Sequence, residues 1–374
     1  MAGIYIHIPF CKQRCHYCNF HFSTSLHYKN EFLQALLKEM ELQKNYLGDE
    51  PVETIYFGGG TPSLLTTAEL TTVFKGLQTN WQLLAGAEIT LEANPDDITE
   101  ESLVGWKQAG INRLSIGIQS LYDEELQWMN RAHTATEAKT VIEKARQAGF
   151  EHFSVDLIYG SPFLSDEQWT ETLQWVLQQP INHLSCYALT VEPQTPLDKF
   201  IRTGQRTPVN SEQQSRQFLL LMDVLQQAGW EHYEISNFAW PGHRSRHNSS
   251  YWQGKNYLGL GPSAHSFNGS SRQWNLAHNR QYIEALQKGE LLFVKEVLTP
   301  VQQLNEYIMT SLRLQEGCSL QNIQERFGET AAHELQRKAF PFTDNGHLLI
   351  QGQHLILTRE GKLFADGIAA ALFF

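Results

Sequence analysis

A short aliphatic or β-branched run, a Gly/Pro/Asn-rich turn and an amphipathic helix recur in that order through the first half of the 374-residue chain, and no other feature limits its fold as strongly. The candidate strands are Gly3–Ile8, Glu53–Phe57, Glu88–Ala93, Arg113–Gln119, Phe153–Ile158 and His183–Leu189. The clearest helical stripe carries Phe32, Leu33, Leu36, Leu37 and Met40, and further helices are expected at Thr67–Leu77, Glu100–Ala109, Thr136–Ala148 and Asp166–Leu177. Strict βα alternation implies a parallel sheet with right-handed crossovers. Six units fall short of an eight-stranded barrel, which leaves an open partial barrel or a doubly wound sheet.

Beyond Leu189 the rhythm changes. A helix is expected at Ser211–Ala228 and a strand at Tyr233–Phe238, followed by an aromatic, histidine-rich segment to about Asn275. From Pro300 three helices (Gln302–Gln315, Leu320–Phe327, Ala331–Lys338) precede the alternating Leu348–Ile350 and Leu355–Leu357, a pattern that suggests a winged-helix-like module. The expected division is a core at 1–237, a connecting segment at 238–295 and a mostly helical C-terminal domain at 296–374. A net charge of −11 supplies no field to gather a phosphate backbone, and residues 296–374 hold six Lys/Arg against nine Asp/Glu. Nucleic acid is therefore not an expected partner. There is no apolar run of about 18 residues, and Met1 leads into Gly3–Ile8 without a basic n-region and long apolar h-region, so a cytoplasmic location is expected.

Strand parity assigns faces, because neighbours along a strand point to opposite sides. With Ile4, Ile6 and Ile8 packed outward against helices, Tyr5 and His7 point inward. The same rule turns Glu92, Gln119 and Asp156 inward, opposite Leu91, Ile118 and Val155/Leu157. Polar groups then converge at the C-terminal strand ends, where barrel folds build their sites.

Three of the five cysteines crowd into Cys11-Lys-Gln-Arg-Cys15-His-Tyr-Cys18, in the loop directly after the first strand. Disulfides between such near neighbours close loops too short to stabilise much, so a metal or cluster role in a reducing compartment fits better. Three thiolates at this spacing can hold three irons of a cubane [4Fe–4S] cluster and leave the fourth open to a chelating small molecule. The alternative is a zinc knuckle with His7, His16 or His21 as fourth ligand. Gly58-Gly59-Gly60-Thr61-Pro62 follows the second strand, where glycines let backbone amides approach a ligand. With Ser63 at the third position, the dinucleotide fingerprint is not met. Cys186 and Cys318, far from the cluster in sequence, read as buried, inert thiols.

The C-x3-C-x2-C motif with Tyr17 before its last cysteine, set in a βα repeat, resembles the radical S-adenosylmethionine (SAM) superfamily. That resemblance implies a partial (β/α)6 barrel, a [4Fe–4S] cluster on Cys11, Cys15 and Cys18, and SAM bound to the open iron. Further strings extend the likeness over nearly the whole chain: Tyr5-Ile-His-Ile-Pro-Phe-Cys11, Tyr56-Phe-Gly-Gly-Gly-Thr-Pro, Glu92-Ala-Asn-Pro, Gly117-Ile-Gln119-Ser, Asn130-Arg131 and Asp156-Leu-Ile-Tyr-Gly. Together they resemble the family of oxygen-independent coproporphyrinogen III oxidase. By that likeness Tyr5, Gly59 and Glu92 contact the cluster-bound cofactor, with Tyr17 beside its adenine. Gly60, Thr61, Gln119, Arg131 and Asp156 then fall where the oxidase holds a second one.

The sequence leaves the oxidase pattern at one place. The oxidase motif continues C-x2-C-x-C, whereas here Cys18 is followed by Asn19 and Phe20. In addition, Arg246-His247-Asn248-Ser-Ser-Tyr251-Trp252 resembles the H-N-x-x-Y-W segment of the heme-chaperone (HemW) branch. Histidine can ligate heme iron, and Tyr251 and Trp252 offer flat faces to a macrocycle. Arg244, Arg246 and Lys255 are candidates for the propionates, and His265 is a spare iron ligand. The expected function is that of a heme chaperone binding a cluster, SAM and heme. Its partners would be a heme donor and acceptor hemoproteins, respiratory and membrane-bound ones among them, with a cluster-dependent homodimer as a further expectation. The alternatives are radical decarboxylation of coproporphyrinogen III propionates and, less supported, radical chemistry on RNA.

Overall fold

A computed structural model describes every residue from Met1 to Phe374. Six parallel strands, β1 (Ala2–Ile8), β2 (Val52–Gly59), β3 (Leu83–Ala93), β4 (Arg113–Gln119), β5 (His152–Tyr159) and β6 (His183–Ala188), lie side by side in sequence order and form the partial barrel. All six expected strands are present, with ends moved by a few residues at most except at β3, which begins at Leu83 rather than Glu88.

The helices begin where local chemistry tells them to. Thr66 with Glu69, Thr99 with Ser102, Thr134 with Glu137 and Ser165 with Gln168 each form a reciprocal capping box at the head of a barrel helix. Each cap is worth about 1 kcal/mol and satisfies amides the helix cannot. The outward aliphatics pack on these helices: Ile4, Ile6, Ile8, Leu91, Ile116, Ile118, Val155 and Leu157 are fully buried in one core with Phe32, Leu36 and Met40. With one side of each strand committed to that core, the other side is left for polar groups.

The segment at 238–295 does more than connect. After the hairpin of β7 (Glu231–Glu234) and β8 (Asn237–Ala239), the chain makes the helix Arg246–Trp252 and returns to the far side of the barrel. There β9 (Tyr257–Leu260) pairs parallel with β1, and β10 (His265–Phe267), β11 (Ser271–Asn275) and β12 (Phe293–Val297) follow antiparallel. The result is one twelve-stranded sheet in the order β12-β11-β10-β9-β1-β2-β3-β4-β5-β6-β8-β7. These added strands are three to five residues long, too short for periodicity to reveal.

The C-terminal part has its own core, built from the helices Pro300–Leu312, Leu320–Phe327, Glu329–Asp344 and Ala365–Ala371 and the sheet of β13 (Cys318–Ser319), β14 (Leu348–Gln351) and β15 (His354–Leu357). Arg313 joins it to the barrel through Glu234 at 2.9 Å, and Arg359 through Asp223 at 2.6 Å. No helix is long and apolar enough to cross a membrane.

Candidate functional site

The C-terminal ends of the barrel strands open into a cleft of about 410 Å³. Cys11, Cys15 and Cys18 line it together with Tyr17, Gly59, Gly60, Thr61, Glu92, Gln119, Arg131 and Asp156, so most of the residues singled out in the sequence share one cavity. The thiols are unpaired and only partly buried, whereas Cys186 and Cys318 are buried and outside the cleft lining.

The cysteine loop is held by backbone. Cys11 N–H donates to Ser23 O, and Thr61 N–H to Phe10 O at 2.7 Å, so the glycine-rich turn and the cysteine loop lock together. A Cβ on Gly60 would come within 2.5 Å of Phe10 O, and one on Gly59, whose φ is 104°, within 2.5 Å of the His7 ring. Only glycine fits this cradle.

Arg131 is tied to the same loop. Its Nη2 donates to Asn94 Oδ1 at 2.7 Å and Gly117 O at 2.8 Å, Nη1 lies 3.4 Å from Cys15 Sγ, and the buried Nε–H has no partner. The Arg131 charge favours the thiolate of Cys11, the form that ligates metal. Burial acts the other way and pushes the Cys11 thiol up to about 12, so a ligated iron would have to displace its proton.

The carboxylates sit deeper. Tyr56 Oη donates to Glu92 at 2.8 Å, and Tyr5 stacks on Tyr56 with ring centres 6.1 Å apart. Tyr5 lies behind the cleft wall, with its hydroxyl 3.3 Å from His7 Nδ1. Ser115 and Ser154 reach Asp156. Burial raises Glu92 to about 7 and Asp156 to about 6, with the neighbouring Asp156 charge adding to the effect on Glu92. Gln119 ends β4 with φ of 64°, an uncommon left-handed conformation that accompanies a break in register between β4 and β5.

A three-thiol corner with a charge partner, glycine-permitted backbone approach and an unspent Arg131 Nε–H fits a cluster with a chelated cofactor. Each imidazole offered as a fourth zinc ligand has one ring nitrogen bonded within the protein: His7 to His21 O, His16 to Trp128 O, and His21 to Asn279. No group of three or more His, Cys, Asp or Glu side chains converges on a single-ion position. A cubane places each thiolate on a different iron and does not require such convergence.

The expected heme residues are arranged differently from their sequence reading. His247 is 2% exposed, with Nδ1 2.8 Å from Thr54 Oγ1 and Nε2 2.8 Å from Tyr251 Oη. It also stacks on Tyr56 at 5.0 Å, and burial drives its pKa down to about 3. Both ring nitrogens are engaged, so ligation of iron by His247 requires the Tyr251 bond to open. Trp252 lies under the guanidinium of Arg313, 4.9 Å from its ring centre. The propionate candidates have partners within the protein: Arg244 on Glu231 and Glu316, Arg246 through Nη2 on Gly86 O, and Lys255 on Glu53.

The cleft also includes residues not singled out as site residues: Tyr56, Asn94, Ser115, Tyr187 and Asn248. Inward parity marks Tyr56 and Ser115, since their neighbours Ile55, Phe57, Leu114 and Ile116 are buried outward. Asn248 gave no such signal, because the helix that carries it reaches the barrel only through tertiary packing.

The model of the Radical SAM superfamily matches residues 5–176, and that of the HemN C-terminal domain matches residues 298–364. The chain is 34% identical to "Heme chaperone HemW" of Mycobacterium tuberculosis, covering 99% of this chain and 94% of the relative. It is 32% identical to the protein of that name in Bacillus subtilis, covering 99% of both. The solved coproporphyrinogen III oxidase (HemN) of Escherichia coli, a radical SAM enzyme, superposes with a TM-score of 0.86 at 24% identity, over 100% of this chain and 90% of that one. The last likeness fixes the fold. Full-length identity above 30% fixes the family, and the chain belongs to the HemW family of the radical SAM superfamily.

Proposed function

We propose that this protein is a heme chaperone that carries a [4Fe–4S] cluster, binds SAM and passes heme from a donor to acceptor hemoproteins. The name shared by full-length relatives supports this reading, and one observation at the site carries it further. Where the oxidase motif has its additional cysteine, this chain has Phe20, 68% exposed at the cleft. An aromatic side chain cannot replace a thiol there in either ligation or redox chemistry.

When bound, a cluster held by three thiolates supplies an open iron for the amino and carboxylate groups of SAM and an electron source for its reductive cleavage. The chain's own part is to bind and orient. Cys11, Cys15 and Cys18 provide the thiolates, and Arg131 offsets their charge. The amides near Gly59 and Gly60 would meet the methionine end of SAM, with Tyr17 beside its adenine. Glu92, ionised above about pH 7 and fixed by Tyr56, accepts hydrogen bonds from the cofactor. Tyr5 acts from behind by packing on Tyr56. Gly60, Thr61, Gln119, Arg131 and Asp156 form the wall at which a second cofactor would sit.

The test is an anaerobic assay with reconstituted protein. No protoporphyrinogen IX should form from coproporphyrinogen III, whereas heme should bind and move to an apo-hemoprotein. Propionate decarboxylation, or failure to bind heme, overturns the reading.

A further inference from the structure

From Cys11 to Cys18 the chain has no helix or strand, and its one internal backbone bond runs from Cys18 N–H to Cys15 O at 3.3 Å. Its shape is therefore imposed from outside. The end of the short helix Asp123–Met129 does much of this. A helix leaves its last carbonyls without intrahelical donors, and here those of Trp128, Met129 and Asn130 are spent on the cysteine loop. Met129 O accepts from the His16 amide at 3.0 Å, Trp128 O from His16 Nδ1 at 2.9 Å, and Asn130 O from the Gln13 side-chain amide at 2.8 Å. Because a carbonyl only accepts, the Nδ1 of His16 carries a proton. Arg206 donates to the same Trp128 O at 2.6 Å and lies over the Trp128 ring, which braces the turn.

Asn130 is the pivot of this arrangement. Its φ of 58° and ψ of 49° lie in the left-handed region, which asparagine tolerates better than other residues with a side chain. The turn sends two neighbours in different directions. The Asn130 side chain reaches the loop, with Nδ2 donating to Arg14 O at 2.7 Å. The next residue, Arg131, lines the cleft, with Nη1 3.4 Å from Cys15 Sγ and Nη2 bonded to Asn94 and Gly117 O. One residue thus joins the backbone between Cys11 and Cys15 to the cation beside Cys15. These bonds lie outside the core, since Arg14 is exposed and Gln13 and Asn130 are half-exposed.

We propose that Asn130 is a positioning residue for the cluster: its left-handed turn and its bond to Arg14 O fix where the Cys15 thiolate stands relative to Cys11 and to the Arg131 guanidinium. This rests on the [4Fe–4S] reading and deepens it. A cubane is retained while all three thiolates stay within reach of their irons, and a fixed cation beside one of them favours the reduced cluster, which carries one more negative charge. Loosening the pivot should release iron faster and make the cluster harder to reduce.

Two substitutions separate the bond from the turn. Asn130→Gly keeps the left-handed backbone and loses the side-chain amide, whereas Asn130→Ala loses the amide and strains the turn. In anaerobically reconstituted full-length protein, Asn130→Gly should release iron to a ferrous chelator about three- to tenfold faster than the parent. Asn130→Ala should release it faster still. The cluster's midpoint potential, from a redox titration followed by electron paramagnetic resonance, should become more negative in the same order. Cluster-free Asn130→Gly protein should melt like the parent, a result that separates positioning from general stability. Parent-like iron release and potential in Asn130→Gly overturn the proposal, as does a cluster-free Asn130→Gly protein that melts well below the parent. Should Asn130→Ala not fold, Asn130→Gly decides alone. A parent protein that takes up no iron and sulfide refutes the cluster reading itself.

Discussion

At the mouth of the barrel, Glu92 and Asp156 face a cleft lined by the thiols of Cys11, Cys15 and Cys18, none of them in a disulfide, and the Nε–H of Arg131 has no partner. At the floor, Glu88 accepts from the amides of Arg246 and His247, and His247 and His183 each use both ring nitrogens. Arg113 Nη1 lies 3.9 Å from Glu88, and its buried Nη2 has no partner. The floor groups are buried, and those of the mouth are only partly so. Orientation differs as well: the floor spends its polar groups on closing the barrel, whereas at the mouth Glu92 and Asp156, braced by Tyr56, Ser115 and Ser154, still line an open cleft. Desolvation disfavours the charged form at both ends, and so raises carboxyl pKa values at the mouth and lowers that of His247 at the floor.

The largest expected effect is at the mouth. Changing any one of Cys11, Cys15 or Cys18 to Ala should abolish the broad visible absorption of an iron–sulfur centre, because two thiolates do not retain a cubane. Cys186→Ala and Cys318→Ala should leave the spectrum intact. Stoichiometric zinc without sulfide in anaerobically purified protein would end the cluster assignment.

Next comes the floor. Glu88→Ala should destabilise the cofactor-free protein by about 3 kcal/mol, since it strips two helix N–H groups and Arg113 of a buried partner. Glu92→Ala should cost much less in the same denaturant titration. Equal losses would break the distinction between a structural floor and a functional mouth.

Glu92→Ala should instead appear in binding. Loss of a charge-assisted contact of about 1.5–3 kcal/mol corresponds to a roughly ten- to hundredfold weaker SAM affinity by calorimetry, with the cluster spectrum unchanged. Unchanged affinity would remove Glu92 from the cofactor site.

The smallest effect is a pair of opposed pH slopes. Glu92 rises from 4.5 to about 7 on folding, so the folded state holds a proton that the unfolded state has released. Its contribution should fall as pH rises from about 4.5 to 7, and Glu92→Gln should remove that slope. His247 falls from 6.5 to about 3, so the unfolded state binds the extra proton. Its contribution should be lost as pH drops below 6.5, and His247→Gln should flatten that side. Denaturation midpoints across this range, parent against variant, measure both; slopes of the same sign would refute the contrast.

Local signals in the sequence determined much of this protein. The βα period and the four capping boxes set the barrel's elements, and alternation along β3, β4 and β5 turned Glu92, Gln119 and Asp156 toward one lumen. The spacing of the cysteine loop pointed to a metal or cluster, and the resemblance of its motif implied which one. Tertiary structure decided the rest. His247 is closed because Thr54, 193 positions earlier, and Tyr251 meet its two nitrogens on the barrel floor. His265 is exposed on β10, in a sheet extension whose strands are too short to read. In both cases the residue type allowed ligation, and exposure depended on pairings distant in sequence, which no local pattern encodes.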